Sequence, residues 1–431
     1  MKPAKELNSF ATFYFYLQGT GSLLGWQAVL TTLDFFSEKF PFAEVNFVFP
    51  LPIFIANLLF CPFMPQISKL MSLNVRVSGM HCIMIVILAA LPIIALTMSN
   101  QIGFGITMVV LFCLGIVNTV QTASCAGLAA NFPGVYMSQL VAGYGLAGLL
   151  ANAIRALCLV VFTSQDSAIA SIAVFFGFAC FFTLMGAIVH LQFVKSEYCQ
   201  YYMMKSSEGH IEYAEGEVDS SSFTRSGQEL NSQLAFDRNA DGASDIGYTS
   251  DGTVTPLIPQ AKPDTFFSIW KEVALFSVLL VLNYIQTFML FPGVSFMRML
   301  SGMSPAWSVL ILLTSFNIMD FVAKIMSGYR HHYNKYSVIG MLLFRFLFFA
   351  TFIILARNSL AGFLTSDIWA VVNIGLFGGL NGYLTGALFT MGPEVVQGKK
   401  KETAGFIMQL SLYTGIIAGS FLALTLSKVN Q

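Results

Sequence analysis

The amino-acid sequence predicts an all-α membrane protein in which two bundles of helices cross the bilayer. Hydrophobic residues make up 56% of the chain and charged residues only 10%, whereas soluble domains carry roughly a quarter charged residues. The mean hydropathy of +0.71 agrees with this imbalance. Long apolar segments also recur on both sides of one polar stretch. Together these observations place the chain in lipid.

Eleven apolar segments are each long enough to cross a bilayer, which requires about 20 residues. They lie near residues 9–31, 45–67, 77–97, 102–130, 137–162, 168–194, 270–296, 306–328, 337–356, 366–391 and 403–426. Their length and uniform apolarity exclude the alternating pattern of a membrane β-barrel. Helices also satisfy every backbone hydrogen bond internally, as lipid requires. We therefore expect eleven transmembrane helices, six before the polar stretch and five after it.

The polar stretch, residues 195–266, separates the two sets of helices. It is rich in Ser, Gly, Asp and Glu and contains 12 of the 22 acidic residues. Such a composition cannot bury enough apolar surface to offset the entropy lost on ordering. It predicts a disordered cytoplasmic loop between an amino-terminal bundle, residues 1–194, and a carboxy-terminal bundle, residues 267–431.

Lysine and arginine residues in the short loops predict the orientation, because cytoplasmic loops carry an excess of them. One side of the membrane collects Lys2, Lys5, Lys69, Arg76, Arg330, Lys335, Lys399, Lys400 and Lys401. The other side holds Lys39, Arg298, Arg357 and Lys428. We expect a cytoplasmic amino terminus and an extracellular carboxyl terminus in a multi-pass protein of the plasma membrane. It would contact lipid, act as a monomer and bind no nucleic acid, since no large basic patch is present.

Asp320 and Lys324 lie in the middle of the eighth apolar segment. Four residues apart, they stack on one face of a helix. A carboxylate and an ammonium at membrane depth each cost several kcal/mol unless they pair or face water, so such residues usually line a polar pathway. The pair therefore marks a candidate functional site.

Other polar residues also fall inside the apolar segments of both halves. They are Gln27, Asn118, Gln121, Asn283, Gln286, Asn317, Arg345, Asn381 and Tyr383. This number of amides from separate helices predicts a shared polar cavity. Hydrogen bonding between helices, worth about 0.6 kcal/mol per bond, is the other interpretation and accounts for roughly half of them.

The segment Gly143-Tyr144-Gly145-Leu146-Ala147-Gly148 matches the dinucleotide-binding pattern letter by letter. That pattern requires a preceding strand and a helix that starts at the phosphates. Here the glycines lie within an apolar helix, where small residues allow two helices to approach closely. We interpret the segment as a packing surface.

The polar residues lack metal-ligand spacing, and the membrane segments carry neither a Ser-His-Asp nor a Cys-His arrangement. We therefore expect no enzyme, no cofactor and no metal site. The remaining classes are a transporter and a receptor or scaffold that signals through the acidic loop. Amides, one ion pair and an aromatic face suit a neutral, planar, polyhydroxylated solute.

Several ordered motifs resemble those of the equilibrative nucleoside transporter family. The first segment reads Gly19-Thr-Gly21-Ser-Leu23-Leu24-Gly25-Trp26-Gln27, and the eighth reads Phe316-Asn317-Ile-Met-Asp320-Phe-Val-Ala-Lys324. Further matching motifs are Gln121 through Gly127-Leu-Ala, Pro133, Tyr136-Met137, Gly145-Leu-Ala-Gly148, Arg345-Phe346-Leu347-Phe348, Asn381-Gly382-Tyr383, Gly392-Pro393 and Glu402-Thr403-Ala404-Gly405. The resemblance covers essentially the whole chain.

This resemblance implies a fold like that of the major facilitator superfamily and facilitative transport of nucleosides, with nucleobases as further substrates. The residues that it assigns to the substrate are Trp26, Leu23, Leu30 and Gln27 as walls, Gln121 at the edge of the base, and Asn317, Asp320 and Lys324 in the cavity. Asp320 and Lys324 would meet the ribose hydroxyls or hold one another. Gating or structural roles fall to Arg345 near the cytoplasmic gate, Asn381, Tyr383 and Glu402.

Two departures from the family pattern concern substrate choice. Lys324 replaces the usual Arg, so a planar five-donor group becomes a mobile point charge. Gln27 and Gly25 replace the family's Asn and Pro around Trp26. Proton-coupled symport stays open as an alternative, because Asp320 could take up a proton if Lys324 moved away.

Overall fold

The computed structural model describes residues 8–43, 45–162, 168–208, 265–291, 299–329, 334–357 and 362–429. Within these ranges the chain forms sixteen α-helices and no β-strand. The fold is therefore all-α in the described residues, as the sequence predicts.

The first ten helices precede the polar stretch. They are α1 (Ser9–Thr31), α2 (Leu33–Lys39), α3 (Val45–Val48), α4 (Pro50–Phe60), α5 (Met64–Leu70), α6 (Met80–Thr97), α7 (Gln101–Ala130), α8 (Gly134–Val161), α9 (Ala168–Val194) and α10 (Glu197–Glu208). A 3₁₀ turn, Cys61–Phe63, joins α4 to α5, and a π-helical turn, Val75–Gly79, leads into α6.

Six helices follow the polar stretch. They are α11 (Phe266–Leu290), α12 (Pro305–Met326), α13 (Lys335–Phe344), α14 (Leu347–Arg357), α15 (Asp367–Glu394) and α16 (Lys400–Val429), with a 3₁₀ turn at Phe363–Thr365 before α15. The helices α13 and α14 form one span, Lys335–Leu355, that is interrupted in its middle.

Ten described helical segments are long and apolar enough to cross a membrane. The expected first span, α1, has 23 residues but is not among them. Its Gly, Ser, Thr and Gln residues, including Gln18 and Gln27, lower its hydropathy. A multi-pass helical membrane protein is confirmed, whereas the number eleven stays a prediction.

The polar stretch begins with a helix rather than with irregular chain. The twelve residues Glu197–Glu208 form α10, so the expected disordered loop does not start at residue 195. Tyr198 of α10 packs against Phe132 and its hydroxyl lies 2.7 Å from the hydroxyl of Tyr136. Aromatic contacts thus supply the apolar burial that the composition of the whole stretch lacks. Residues 209–264 lie outside the described residues.

Polar side chains cap many of the helices. At each start, a side-chain oxygen accepts a hydrogen bond from a backbone N–H of the first turn, which has no partner within the helix. These residues are Asn8, Asn100, Thr265, Ser304, Asn334 and Ser366, which precede α1, α7, α11, α12, α13 and α15. The caps explain why these apolar runs begin where they do.

The long helices pair in an order that is repeated in the two halves of the chain. In the amino half, α1 packs on α8, α4 on α7, and α6 on α9. In the carboxy half, α11 packs on α16 and α12 on α15. The first span of each half thus pairs with the fifth, and the second with the fourth. This repetition is what two related bundles require.

Glycines permit the closest helix contacts. A Cβ atom on Gly382 of α15 would lie 2.1 Å from the carbonyl oxygen of Asp320 on α12. Gly143 of α8 packs in the same way on Tyr16 and Gly19 of α1, while Gly145 and Gly148 meet α12. The segment 143–148 is therefore a helix-packing surface, as interpreted from its sequence context.

The two halves are joined by polar contacts at one end of the molecule. Ser138, near the start of α8, donates to the carbonyl of Lys324 at 2.8 Å and lies 3.1 Å from the hydroxyl of Ser327. Arg76, just before α6, pairs with Glu402 in the first turn of α16 at 3.2 Å. All these residues lie at the end to which the long polar stretch is attached. The halves are in contact there, which closes that end.

Candidate functional site

The carboxylate of Asp320 and the ammonium of Lys324 form the predicted ion pair on α12, but Lys324 lies in the last turn of the helix rather than in the middle of the span. Nζ of Lys324 lies 2.5 Å from Oδ2 of Asp320. The two residues are only 4% and 5% exposed. Removing two charges from water costs more than their attraction returns unless further hydrogen bonds hold them, so the surroundings of the pair decide its stability.

Amide and hydroxyl groups from two other helices, α15 and α11, form a hydrogen-bond network around the ion pair. Asn381 of α15 donates to Oδ1 of Asp320 at 2.8 Å. The amide oxygen of Asn381 in turn accepts from Asn283 of α11 at 3.1 Å and from Thr287 at 2.7 Å. Both carboxylate oxygens of Asp320 are therefore occupied, and the network ties α11, α12 and α15 together.

Arg345 extends the network from the interruption between α13 and α14. Its guanidinium donates to the side-chain and backbone oxygens of Asn283 and to the hydroxyl of Thr287. It also lies 4.3 Å from the ring centre of Phe377. Arg345 is fully buried and lies half-way along the span Lys335–Leu355. It joins helices, as expected, but at mid-span rather than near the end where the gate was expected.

The network contains more positive than negative charge. Among the described residues it holds two cations, Lys324 and Arg345, and one carboxylate, Asp320. The cations are held apart, since Lys324 pairs with the carboxylate while Arg345 binds neutral oxygens and an aromatic face. Asp320 is therefore the group that balances both charges.

The amino half has a neutral counterpart centred on Gln121 of α7. The side-chain nitrogen of Gln121 lies 2.7 Å from Nε2 of His81 on α6. Nδ1 of His81 lies 2.8 Å from the carbonyl of Val77. Both side chains are fully buried, and the amide oxygen of Gln121 has no hydrogen-bond partner among the described residues.

A polar contact between the halves lies beside this amide. The hydroxyl of Thr122 on α7 is 2.6 Å from the hydroxyl of Tyr413 on α16. Further along the interface, the amide of Asn152 on α8 donates to Thr314 of α12 at 3.3 Å. Hydrogen bonds of this kind join the two halves within the helices, away from their ends.

One stripe of α1 is accessible while its neighbours are buried. Leu23, Trp26, Gln27 and Leu30 are each partly exposed, whereas the other residues between positions 21 and 30 are buried. Their spacing of three or four residues places them on one helix face. The Trp26 ring lies 4.8 Å from that of Phe54, which is 6.5 Å from Phe288 in the other half. The four residues expected as walls therefore share one face beside the boundary between the halves.

Two further residues that the sequence predicted for the site, Asn317 and Tyr383, lie in different surroundings. Asn317 is partly buried, and a Cβ atom on Gly148 would lie 2.9 Å from its amide nitrogen, so it lies against the opposite half. Tyr383 is partly exposed and lies two residues from Asn381, on another face of α15. It therefore does not share the surroundings of Asn381.

Glu402 pairs with a residue that the sequence analysis counted only as a loop charge. Both guanidinium nitrogens of Arg76 lie 3.2 Å from Oε1 of Glu402, and one also contacts Ser124 at 3.3 Å. The Arg76 side chain is 6% exposed and that of Glu402 is 35% exposed. The ion pair therefore joins the two halves at the closed end.

The sequence analysis missed several residues of these networks, among them Arg76, His81 and Tyr413. Arg76 carried a signal, because it opens an apolar span, but its partner lies 326 residues away. His81 carried no signal beyond being a histidine within an apolar segment. Tyr413 carried no signal, since a tyrosine in an apolar helix is ordinary packing. Among the described residues, no group of three His, Cys, Asp or Glu side chains could hold a metal ion.

Solved structures with a similar fold are transporters of the major facilitator superfamily. The proton:xylose symporter XylE bound to 6-bromo-6-deoxy-D-glucose superimposes with a TM-score of 0.64 at 13% identity, covering 98% of this chain and 90% of that chain. A bacterial homologue of the iron transporter ferroportin, in an outward-facing state, gives a TM-score of 0.60 at 9% identity over 98% and 93%. The chain therefore has a fold similar to theirs.

The chain belongs to the nucleoside transporter family, whose model matches residues 106–428. It is 23% identical to equilibrative nucleotide transporter 1 of Arabidopsis thaliana, over 98% of this chain and 87% of the relative. It is 24% identical to human equilibrative nucleoside transporter 2, over 95% of both chains. The resemblance stated from the motifs is confirmed, and the protein is a multi-pass membrane transporter rather than an enzyme, receptor or scaffold.

Proposed function

We propose that this protein carries nucleosides, and also free nucleobases, across the membrane by facilitative alternating access. The observation that carries the proposal is the accessible stripe Leu23, Trp26, Gln27 and Leu30 in the part of α1, positions 21 to 30, that is otherwise buried. An indole and two leucines form an apolar wall that suits the flat face of a base. The name of the human relative, equilibrative nucleoside transporter 2, supports nucleosides as the substrate class.

The polar part of the proposed site comes from both halves. Gln121 supplies an amide for the edge of the base, because an amide can both donate and accept. Asn317 and the Asp320–Lys324 pair face the ribose from α12. Asn381 and Arg345 support this arrangement from behind rather than contact the substrate. A site divided between two bundles changes its shape when the bundles move, as transport requires.

The closed end of the molecule corresponds to the cytoplasmic side in our proposal. The long polar stretch is attached at that end, and the lysine and arginine residues of the short loops collect there. The structure would then represent an outward-facing state, and rocking of the halves would break the contacts of Arg76 with Glu402 and of Ser138 with Lys324. We further propose a monomer in the plasma membrane, with the amino terminus in the cytoplasm and the carboxyl terminus outside.

A downhill uniporter needs no coupling ion, because nucleosides are uncharged. Asp320 is paired with Lys324 and Asn381, so both of its oxygens are already occupied. Uptake of a proton there would require breaking the ion pair. Simple facilitation therefore agrees better with the network than proton-coupled symport does.

Transport by purified protein in sealed liposomes tests this proposal. Radiolabelled adenosine should enter until its internal and external concentrations are equal, both with and without an inward proton gradient. Empty liposomes and liposomes with unlabelled adenosine in hundredfold excess are the controls. Accumulation above the external concentration when protons flow inward would instead support symport, and no saturable entry would contradict nucleoside transport.

The proposed gate can be tested through the accessibility of Ser138, which is 1% exposed in the closed state. A Ser138→Cys variant in inside-out vesicles should react slowly with a membrane-impermeant thiol reagent. Adding Glu402→Gln should raise the labelling rate several-fold, because the partner of Arg76 is weakened. Vesicles that retain Ser138 correct for the native cysteines, and the exchanged pair Arg76→Glu with Glu402→Arg should restore slow labelling. An unchanged rate in Glu402→Gln would contradict a gating role.

A further inference from the structure

Two buried hydroxyl groups join the halves of the molecule inside its closed end. We propose that the hydrogen bond between Thr122 and Tyr413 is a further part of the gate, which forms only while that end is closed and thereby sets the balance between the two transport states. The proposal rests on the proposed function, because it concerns the movement that opens the site to either side. It adds to the gate a side chain of α16 that the family motifs do not include.

The contacts of Thr122 determine which of the two hydroxyls donates. Oγ1 of Thr122 donates to the carbonyl oxygen of Asn118, one turn earlier on α7, at 2.7 Å. A carbonyl oxygen can only accept, so the proton of Thr122 is already used. Tyr413, whose hydroxyl lies 2.6 Å from Oγ1 of Thr122, is therefore the donor across the interface. Thr122 and Tyr413 are 0% and 4% exposed, so this bond excludes water.

The bond continues a line of contact between α7 and α16 that begins at the closed end. A Cβ atom on Gly405 of α16 would lie 2.8 Å from the carbonyl oxygen of Ala126 on α7, so the two backbones touch there. Thr122 lies about one turn from Ala126 along α7, and Tyr413 lies about two turns from Gly405 along α16. The hydroxyl pair is therefore deeper in the molecule than the backbone contact.

The two helices that share this bond belong to different halves. The helix α7 packs on α4 and α6 in the amino half, whereas α16 packs on α11 in the carboxy half. A hydrogen bond weakens steeply when its distance or angle departs from the ideal. Rocking of the halves would therefore break the bond after a small displacement. Both hydroxyls would then face the opening pathway, where water can replace the lost partner.

A bond that exists in one state only shifts the equilibrium between the two states. A net hydrogen bond of ordinary strength corresponds to about a fivefold change in an equilibrium constant. Tyr413→Phe keeps the ring and removes only the hydroxyl. We therefore expect this variant to raise the population of the state in which the closed end has opened by about fivefold.

Thiol labelling of Ser138→Cys in inside-out vesicles measures this population, because position 138 is buried while the end is closed. On this background, Tyr413→Phe should raise the rate of reaction with a membrane-impermeant reagent about fivefold. Thr122→Val should do the same, and the double variant should react no faster than either single one, since both substitutions remove one shared bond. Thr122→Ser keeps the hydroxyl and should leave the rate unchanged. Vesicles that retain Ser138 correct for the native cysteines.

Ser411→Ala is the matched control on the same helix. Ser411 is also buried, and its hydroxyl lies 2.7 Å from that of Ser277 on α11. This bond lies within the carboxy half, so it is present in both states. Its loss should lower the midpoint of thermal unfolding slightly and leave the labelling rate unchanged. A hydroxyl that acts only through stability would instead change Tyr413→Phe and Ser411→Ala alike.

An unchanged labelling rate in Tyr413→Phe and Thr122→Val would overturn the proposal, and so would an equal rise in Ser411→Ala. Thr122→Val alone provides the test if Tyr413→Phe does not reach the membrane. If Glu402→Gln raises the rate while these two variants do not, the gate of Arg76 stands and only the role of Tyr413 is rejected. Labelling needs no substrate, so a protein without adenosine uptake would reject the proposed function separately.

Discussion

The amino and carboxy halves pair their helices in the same order but differ in the polar groups that they bury. The carboxy half contains a charged network in which Asp320 binds Lys324 and Asn381. The amino half contains a neutral network in which Gln121 binds His81. The first network leaves no carboxylate oxygen unoccupied, whereas the second leaves an amide oxygen without a partner among the described residues.

This difference assigns different roles to the two halves. A buried charge is tolerated only when its partners stay in place, so the carboxy network is suited to holding α11, α12 and α15 together. A neutral amide costs far less when one of its bonds is unmade. The amino half can therefore keep a free acceptor for a ligand, while the carboxy half supplies the more rigid side of the site.

The largest effect is expected from Asp320→Asn, because it leaves Lys324 and Arg345 without a carboxylate. Breaking a buried pair in this way costs about 3–5 kcal/mol. We expect a much lower midpoint of thermal unfolding in detergent, together with an uptake loss that exceeds the loss of surface protein. Lys324→Met should cost roughly 2 kcal/mol, because Asp320 keeps its bond to Asn381, which Asn283 connects to the guanidinium of Arg345.

The unfolding midpoints of these two variants test whether Asp320 balances both cations, which predicts the lower midpoint for Asp320→Asn. Equal midpoints for Asp320→Asn and Lys324→Met would show that the pair acts alone and that Arg345 is independent of it. An uptake loss in proportion to the loss of surface protein would leave the pair with a folding role only.

A smaller effect is expected where helix packing, rather than charge, holds the carboxy half together. Gly382→Ala would place a Cβ atom 2.1 Å from the carbonyl oxygen of Asp320. Overpacking of this kind costs about 1–3 kcal/mol, so the unfolding midpoint and the uptake should both fall.

Gly340→Ala is the matched control, since nothing lies within 4 Å of a Cβ atom at that position. It should be neutral or slightly stabilising, as alanine favours a helix by about 1 kcal/mol. Similar unfolding midpoints for Gly382→Ala and Gly340→Ala would mean that α12 and α15 can move apart without loss of stability.

The smallest effect is expected in the neutral network of the amino half. Gln18 is fully buried and donates to the carbonyl of Gly186 at 2.8 Å. Gln18→Leu removes that bond and a weak one that Gln18 accepts from Sγ of Cys125 at 3.8 Å, together worth about 1 kcal/mol. The midpoint should fall by only a few degrees, and uptake per surface molecule should be retained. A fall in the unfolding midpoint as large as that of Asp320→Asn would contradict the difference that we propose between the two halves.

The parts of the site that sequence could predict are those that depend on local spacing. The Asp320–Lys324 pair and the stripe from Leu23 to Leu30 each follow from the 3.6-residue period of a helix. The sequence predicted that Arg345 joins helices, but it did not predict that Arg345 lies at mid-span. The interruption between α13 and α14 contains no Pro or Gly that would have indicated it. The helix α10 was missed because its burial comes from Phe132 and Tyr136 in another part of the chain.

The sequence by itself determined the membrane class, the positions of most spans and the family, because hydropathy and short motifs are properties of neighbouring residues. Tertiary structure alone decided that Arg76 pairs with Glu402, that Asn381 donates to Asp320 and that His81 contacts Gln121. Each of these contacts depends on how helices rotate and cross, and a one-residue difference in rotation turns a side chain by about 100°. Local periodicity restricts which face a residue occupies, but only packing decides what that face meets.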